Sequence, residues 1–223
     1  MSTAPLDSMT LPQRLYLLTY TVDKARFEAG DLQGRGLLLR AGALAELTIG
    51  DLLRVDDGKV LRRAVKAPSD AFLAEVWHTI PTGKPGNWFT FLYDDQYAAE
   101  ASIGNQLVAQ GAITRPEKRT WSPVFTNQVT VHDPGQVREL QEAAREVVLG
   151  DQDPATVPAD LLALVVLAAT CRVSTLCTGK ELRRNKATVK SLTAHFDKLA
   201  PKLRESLYAA FHSTRASGAG YGA

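Results

Sequence analysis

Apolar positions recur along most of the chain at the three-and-four spacing of a helix face. From Thr10, in TLPQRLYLLTYT, Leu11, Leu15, Leu18 and Val22 follow that spacing, and Pro12 suits a first helical turn. A polar loop carrying Gly30 and Gly34 follows. GRGLLLRAGALAELTIG (34–50) is apolar almost all round, the pattern of a central buried helix. One residue breaks that pattern. Arg40 shares a stripe with Leu37, Leu44 and Leu47, because residues three and four apart are neighbours on a helix. Either its stem lies on the core while its head reaches water, or the cation holds something.

Beyond Gly50, LLRVDDGKVLRR predicts a hairpin turning at Asp57-Gly58. Residues 69–80 form an amphipathic helix opened by Ser69 or Asp70. NWFTFLYDD is short and aromatic. Residues 95–111 form a helix closed by Gly111. AITRPEKRTWSPVFTNQVTV (112–131) reads as a second β-hairpin carrying Trp121, Val124 and Phe125. PGQVRELQEAAREVVLG is a helix with Val137, Leu140, Ala144 and Val147 on one face, and helices are expected at 158–172, about 176–199 and 201–213. The fold class is mainly α: a compact helical bundle with one or two short β-hairpins. We expect a flexible lead over 1–9, a single domain over 10–213 and a disordered tail over 214–223.

The 223 residues, 45% hydrophobic and 22% charged, are ordinary for a globular protein able to bury its own core. No apolar run reaches the length that spans a bilayer; LLALVVLAATC (161–171) is too short and is bounded by Asp160 and Arg172. The start of the chain has no signal-peptide pattern. Cys171 and Cys177 are too few for a disulfide framework or a metal set and read as reduced thiols. The composition suggests a bacterial cytoplasm. Net charge is only +2, but residues 172–223 hold ten Lys/Arg against three Asp/Glu. Within KELRRNKATVK (180–190) the cations Lys180, Arg183, Arg184, Lys186 and Lys190 form a basic surface patch that favours an anionic partner.

Catalytic chemistry finds no foothold. There is no G-x-S-x-G, P-loop, H-E-x-x-H or Rossmann glycine fingerprint. His78, His132, His195 and His212 lie in unrelated elements, and Asp56-Asp57 and Asp94-Asp95 fit a turn and a helix start. We therefore expect no enzyme, no cofactor and no metal.

Taken together, the apolar N-terminal helix, the run Arg40, Ala41–Ala45 and Glu46-Leu47, the DDG hairpin, NW at 87–88, QLVAQGAIT, VRELQEAAREVVLG and LLALVVLAA resemble the Golgi phosphoprotein 3 (GPP34) family, from about Leu11 to Phe211. The resemblance implies a peripheral, membrane-docking helical domain. In eukaryotic relatives a basic pocket holds the headgroup of phosphatidylinositol 4-phosphate, and an apolar hairpin contributes to self-association. It places Arg40 on one of the headgroup arginines, and the opening pattern then has an answer: the cation meets a phosphate, a match to arginine's forked donors. Arg35 and Arg54 join it as headgroup candidates, and Trp121, Val124 and Phe125 as membrane or oligomer contacts. The chain also departs from the family. KARFEAGDLQGRG has Phe27 and no tryptophan, and Tyr97 and Glu100 stand near the positions of two further family arginines.

Two functions follow as expectations. The first is a cytoplasmic protein peripheral to the inner face of the membrane, binding anionic lipid and self-associating through the 112–131 hairpin. The second is a winged-helix-like nucleic-acid-binding protein, with Arg115, Lys118 and Arg119 on a wing. The acidic first 171 residues and the apolar candidate recognition helix oppose it, so no nucleic acid is expected.

Overall fold

The computed structural model describes residues 5–63, 65–115, 129–150 and 152–218. Its centre is the segment too apolar for a surface. Helix α3 (Arg35–Ile49) buries Leu37, Leu38, Leu39, Ala41, Ala43, Leu44, Ala45 and Leu47. Each fully buried leucine contributes about 1.5–3 kcal/mol of transfer free energy. Helices α1 (Leu11–Leu18), α4 (Ala71–Thr79), α6 (Gln96–Ala109), α8 (Ala159–Thr170) and α11 (Leu203–Gly218) pack around it. Small residues allow the close approach. A Cβ on Gly36 would stand 2.0 Å from the Gln96 carbonyl oxygen at the start of α6, and one on Gly42 would stand 2.6 Å from Leu15 Cδ1 on α1.

α1 starts where Thr10 and Pro12 predict. The Thr10 amide donates to Gln13 Oε1 at 3.1 Å. The Leu11 amide, which has no partner within its own helix, donates to Glu46 Oε2 of α3 at 2.6 Å. A carboxylate 35 residues away thus caps α1, and burial pushes the Glu46 pKa up. The polar loop after α1 holds a small pairing of β1 (Tyr20–Thr21) with β2 (Arg26–Phe27), then the single-turn helix α2 (Ala29–Leu32).

The DDG hairpin forms as read. β3 (Leu53–Asp56) pairs antiparallel with β4 (Lys59–Arg62), Val55 opposite Val60. Asp57 and Gly58 have φ of 42° and 74°, the left-handed conformations of a type I′ turn. A third strand, β5 (Gly86–Asn87), adds to β4. Asp70, rather than Ser69, caps α4 by accepting from the Leu73 amide. Asn87 caps α5 (Trp88–Tyr93), the short aromatic segment. Trp88 Nε1 donates to the Pro201 carbonyl and the Tyr93 hydroxyl to the Ala210 carbonyl, which pins α5 to the C-terminal part of the chain.

The 112–131 hairpin is present at its base, where β6 (Ile113–Thr114) pairs with β7 (Thr130–Val131). Trp121, Val124, Phe125, Lys118 and Arg119 lie outside the described residues. α7 (Pro134–Leu149) buries Val137, Leu140, Ala144 and Val147, the face its periodicity marks. The stretch expected as one helix over 176–199 is two: α9 (Gly179–Arg184) and α10 (Lys186–Leu199) meet at Asn185, whose side-chain amide donates to the Glu181 carbonyl. Helix α11 runs on to Gly218, into the segment expected as a disordered tail. Among the described residues no helix is long and apolar enough to cross a membrane.

Candidate functional site

Arg40 and Arg35 both belong to α3, five residues apart. At 3.6 residues per turn that places them about 140° apart around the helix, so they face different neighbours. Arg40 points toward α4 and α5. Its side chain is 0% exposed. Nε donates to the Phe91 carbonyl oxygen at 2.7 Å, and Nη2 reaches Asp94 Oδ2 at 3.3 Å. Nη1 has no hydrogen-bond partner among the described residues. Burial lowers the Arg40 pKa, and the charges of Asp94, Glu75 and Asp95 pull it back up. Burial, with Asp95 and Asp94 nearby, raises the Glu75 carboxyl in turn, and Arg40 opposes that rise.

Arg35 points the other way, toward α1, β2 and α6. It is 2% exposed and forms an ion pair with Glu100. Its guanidinium lies 4.0 Å from the Phe27 ring centroid and 4.7 Å from that of Tyr16, so the aromatic faces supply part of the solvation that burial removes. Arg115, at the foot of the hairpin, extends this cluster by donating to the Glu100 carbonyl at 3.1 Å and to Asn105 Oδ1 at 3.2 Å.

This geometry corrects the reading of both arginines as open headgroup ligands. Each is buried and already holds a carboxylate of its own chain. Glu100, near the position where the resemblance implies a cation, is the group that neutralises Arg35. The surface around Arg40 carries Asp94, Asp95 and Glu75, all exposed, so it is acidic rather than a positive hollow. Arg54 is exposed on β3, opposite Leu61, and is not brought to either cluster. In the sequence, the partners that close the two arginines are visible only as a doubled aspartate before α6 and as one glutamate in a helix lacking Lys and Arg. Nothing in the local pattern pairs them with positions 54 and 65 residues earlier.

The basic patch behaves differently. Lys180, Arg183 and Arg184 on α9, and Lys186 and Lys190 on α10, are all exposed. Among the described residues none of them takes part in an ion pair. The one carboxylate in the segment, Glu181, is committed elsewhere. It accepts from Arg145 Nη2 at 2.8 Å and from the Thr178 amide at 2.7 Å, which lowers its pKa to about 2. Arg145 is held in turn by the Leu176 carbonyl. Among the described residues the five cations are therefore left without an ion-pair partner.

The candidate recognition helix of the nucleic-acid alternative is α3, and α3 buries eleven of its fifteen residues inside the fold, where it cannot enter a groove. Among the described residues no group of three or more His, Cys, Asp or Glu is placed to hold a metal. A comparison with curated proteins returns no match. Over residues 11–210, from the start of α1 into α11, the chain matches the family described as Golgi phosphoprotein 3 (GPP34), and it belongs to that family.

Proposed function

We propose that this protein is a non-catalytic, peripheral membrane-associated member of the GPP34 family that docks on anionic lipid at the cytoplasmic face. Docking runs through the basic surface of α9 and α10 rather than through an arginine pocket around Arg40. The observation that carries this reading is the set of five exposed cations at 180–190, a segment whose one carboxylate, Glu181, is occupied by Arg145. Basic residues close to an anionic bilayer contribute about 1 kcal/mol each, without needing a shaped headgroup site. Arg35 and Arg40 stabilise the domain internally. Arg54, exposed and unpaired among the described residues, is the remaining headgroup candidate. Self-association through Trp121, Val124 and Phe125 of the hairpin belongs to the same proposal and would add valency to a weak surface attraction.

Vesicle co-sedimentation tests it. The protein should bind phosphatidylglycerol vesicles in low salt, release them in high salt and ignore phosphatidylcholine vesicles. Reversing three charges (Arg183→Glu, Arg184→Glu, Lys186→Glu) should weaken binding on the order of 100-fold or more. At matched surface charge, phosphatidylinositol 4-phosphate should bind no better than phosphatidylglycerol. Absence of vesicle binding, or binding unaffected by the triple reversal, overturns the proposal. Binding to duplex DNA in place of vesicles would favour the nucleic-acid reading.

A further inference from the structure

A cavity of about 200 Å³ lies between α8, α10 and α11, over the end of α7. Its walls include Val148, Val165, Val166, Ala169, Val189 and Leu192. The two threonines in the wall do not make it polar. Thr170 donates its hydroxyl to the Val166 carbonyl at 2.7 Å, and Thr193 to the Val189 carbonyl at 2.6 Å. The space is open to solvent on one side, but its walls, with both threonine hydroxyls satisfied, are as apolar as those of the ~150 Å³ cavity that binds benzene, and they offer little to water and much to a hydrocarbon. It is too small for a two-chain lipid, since sites for drug-sized ligands start at about 300 Å³.

The rim has the opposite character. Arg204 is neutralised by Asp197 at 2.9 Å. Arg172 is exposed and has neither an ion pair nor a side-chain hydrogen bond among the described residues. It sits at the end of α8 with φ of 55°, a left-handed conformation that a side-chain-bearing residue adopts at a cost. On α10, Lys186 and Lys190 stand one turn before the wall residues Val189 and Thr193, on the same stripe. An apolar chamber thus opens beside unneutralised cations, with the half-exposed ring of Tyr208 at its edge.

We propose that this cavity binds a single-chain anionic amphiphile, a medium-length hydrocarbon tail ending in a carboxylate, with the tail between α8 and α10 and the head on Arg172. The site does not depend on vesicle docking and differs from it in kind: it takes one monomeric molecule.

Calorimetric titration with octanoate tests the site, with 1-octanol and octyltrimethylammonium as matched probes. Octanoate should bind one per chain, octanol more weakly and the cation not at all. Arg172→Asn, whose new side chain tolerates the left-handed backbone, should weaken octanoate by about tenfold or more and leave octanol unchanged. Ala169→Leu should fill the chamber and abolish octanoate binding while vesicle co-sedimentation persists. Thr193→Leu, on the opposite wall, gives the same test should Ala169→Leu fail to fold. The proposal is overturned by any of three results: no octanoate binding to the wild type, binding untouched by both filling variants, or equal affinity for all three probes. Arg183→Glu combined with Arg184→Glu, which spares Lys186 and Lys190, should weaken vesicle binding and leave octanoate binding intact, and that outcome separates the two sites.

Discussion

Arg40 donates its Nε proton to the backbone carbonyl oxygen of Phe91 at 2.7 Å, inside a side-chain environment with no solvent exposure. The bond ties the central helix to the last turn of α5, and Asp94, just beyond that turn, supplies the counter-charge. The arginine is thereby a cross-link between two core elements.

Arg40→Ala should therefore act on stability rather than on ligand affinity. It leaves a buried carbonyl without its donor and opens a cavity beside Leu37 and Leu44, at a cost of about 1–3 kcal/mol for the unsatisfied group before the packing loss is added. Arg40→Met, which keeps the stem and removes the charge, should cost less than the alanine variant. Urea unfolding followed by circular dichroism measures both. Unchanged unfolding midpoints in both variants would show a solvated side chain at position 40.

Gly36 is a second point where the core tolerates nothing larger. Its missing Cβ is the reason the first turn of α3 can lie against the Gln96 carbonyl. Gly36→Ala should separate α3 from α6 and cost about 1–3 kcal/mol or more, as overpacked cores do. Gly83 lies in an open loop where an added methyl would meet nothing within 4 Å, so Gly83→Ala is the matched control and should leave the thermal midpoint nearly unchanged.

Glu46 and Glu181 should shape the pH dependence of stability with opposite signs. Glu181 has a folded-state pKa of about 2, below the ordinary 4.5. Its contribution is present above pH 4.5 and lost as the pH falls toward 2. Glu46 is raised above 4.5 by burial, so its contribution is fullest below that value and is lost as the pH rises through the elevated pKa. Glu181→Gln should lower the midpoint at neutral pH and flatten the acid limb. Glu46→Gln keeps an acceptor for the Leu11 amide and should hold or raise the midpoint at pH 7. Differential scanning calorimetry between pH 2 and 8 reads both. Parallel profiles for the variants and the wild type would contradict the assignments.

Several elements are legible in the sequence because their determinants are local. The periodic faces of α1, α4 and α7, the Asp57-Gly58 turn and the Asp70 cap each rest on residues within a turn or two of one another. The split between α9 and α10 is not legible, because the hydrophobic stripe runs through Asn185 without a proline or glycine to mark the break. In the polar loop, β1, β2 and α2 leave no signal because two-residue strands carry no alternation to read. The basic patch can be found because charge density is a property of composition. The state of Arg40 cannot, because Asp94 and Phe91 reach it only through the packing of α5 on α3.

By itself the sequence determined the helical class, the family and the placement of uncompensated positive charge at 180–190, all of which follow from short-range pattern or from the order of motifs. The tertiary structure alone decided which cations remain available. An arginine in an apolar run is equally compatible with an open phosphate ligand and with a buried cross-link. The difference is whether the fold delivers a carboxylate and a carbonyl to it, and for Arg35 and Arg40 it delivers Glu100, Asp94 and the Phe91 carbonyl from distant turns of chain.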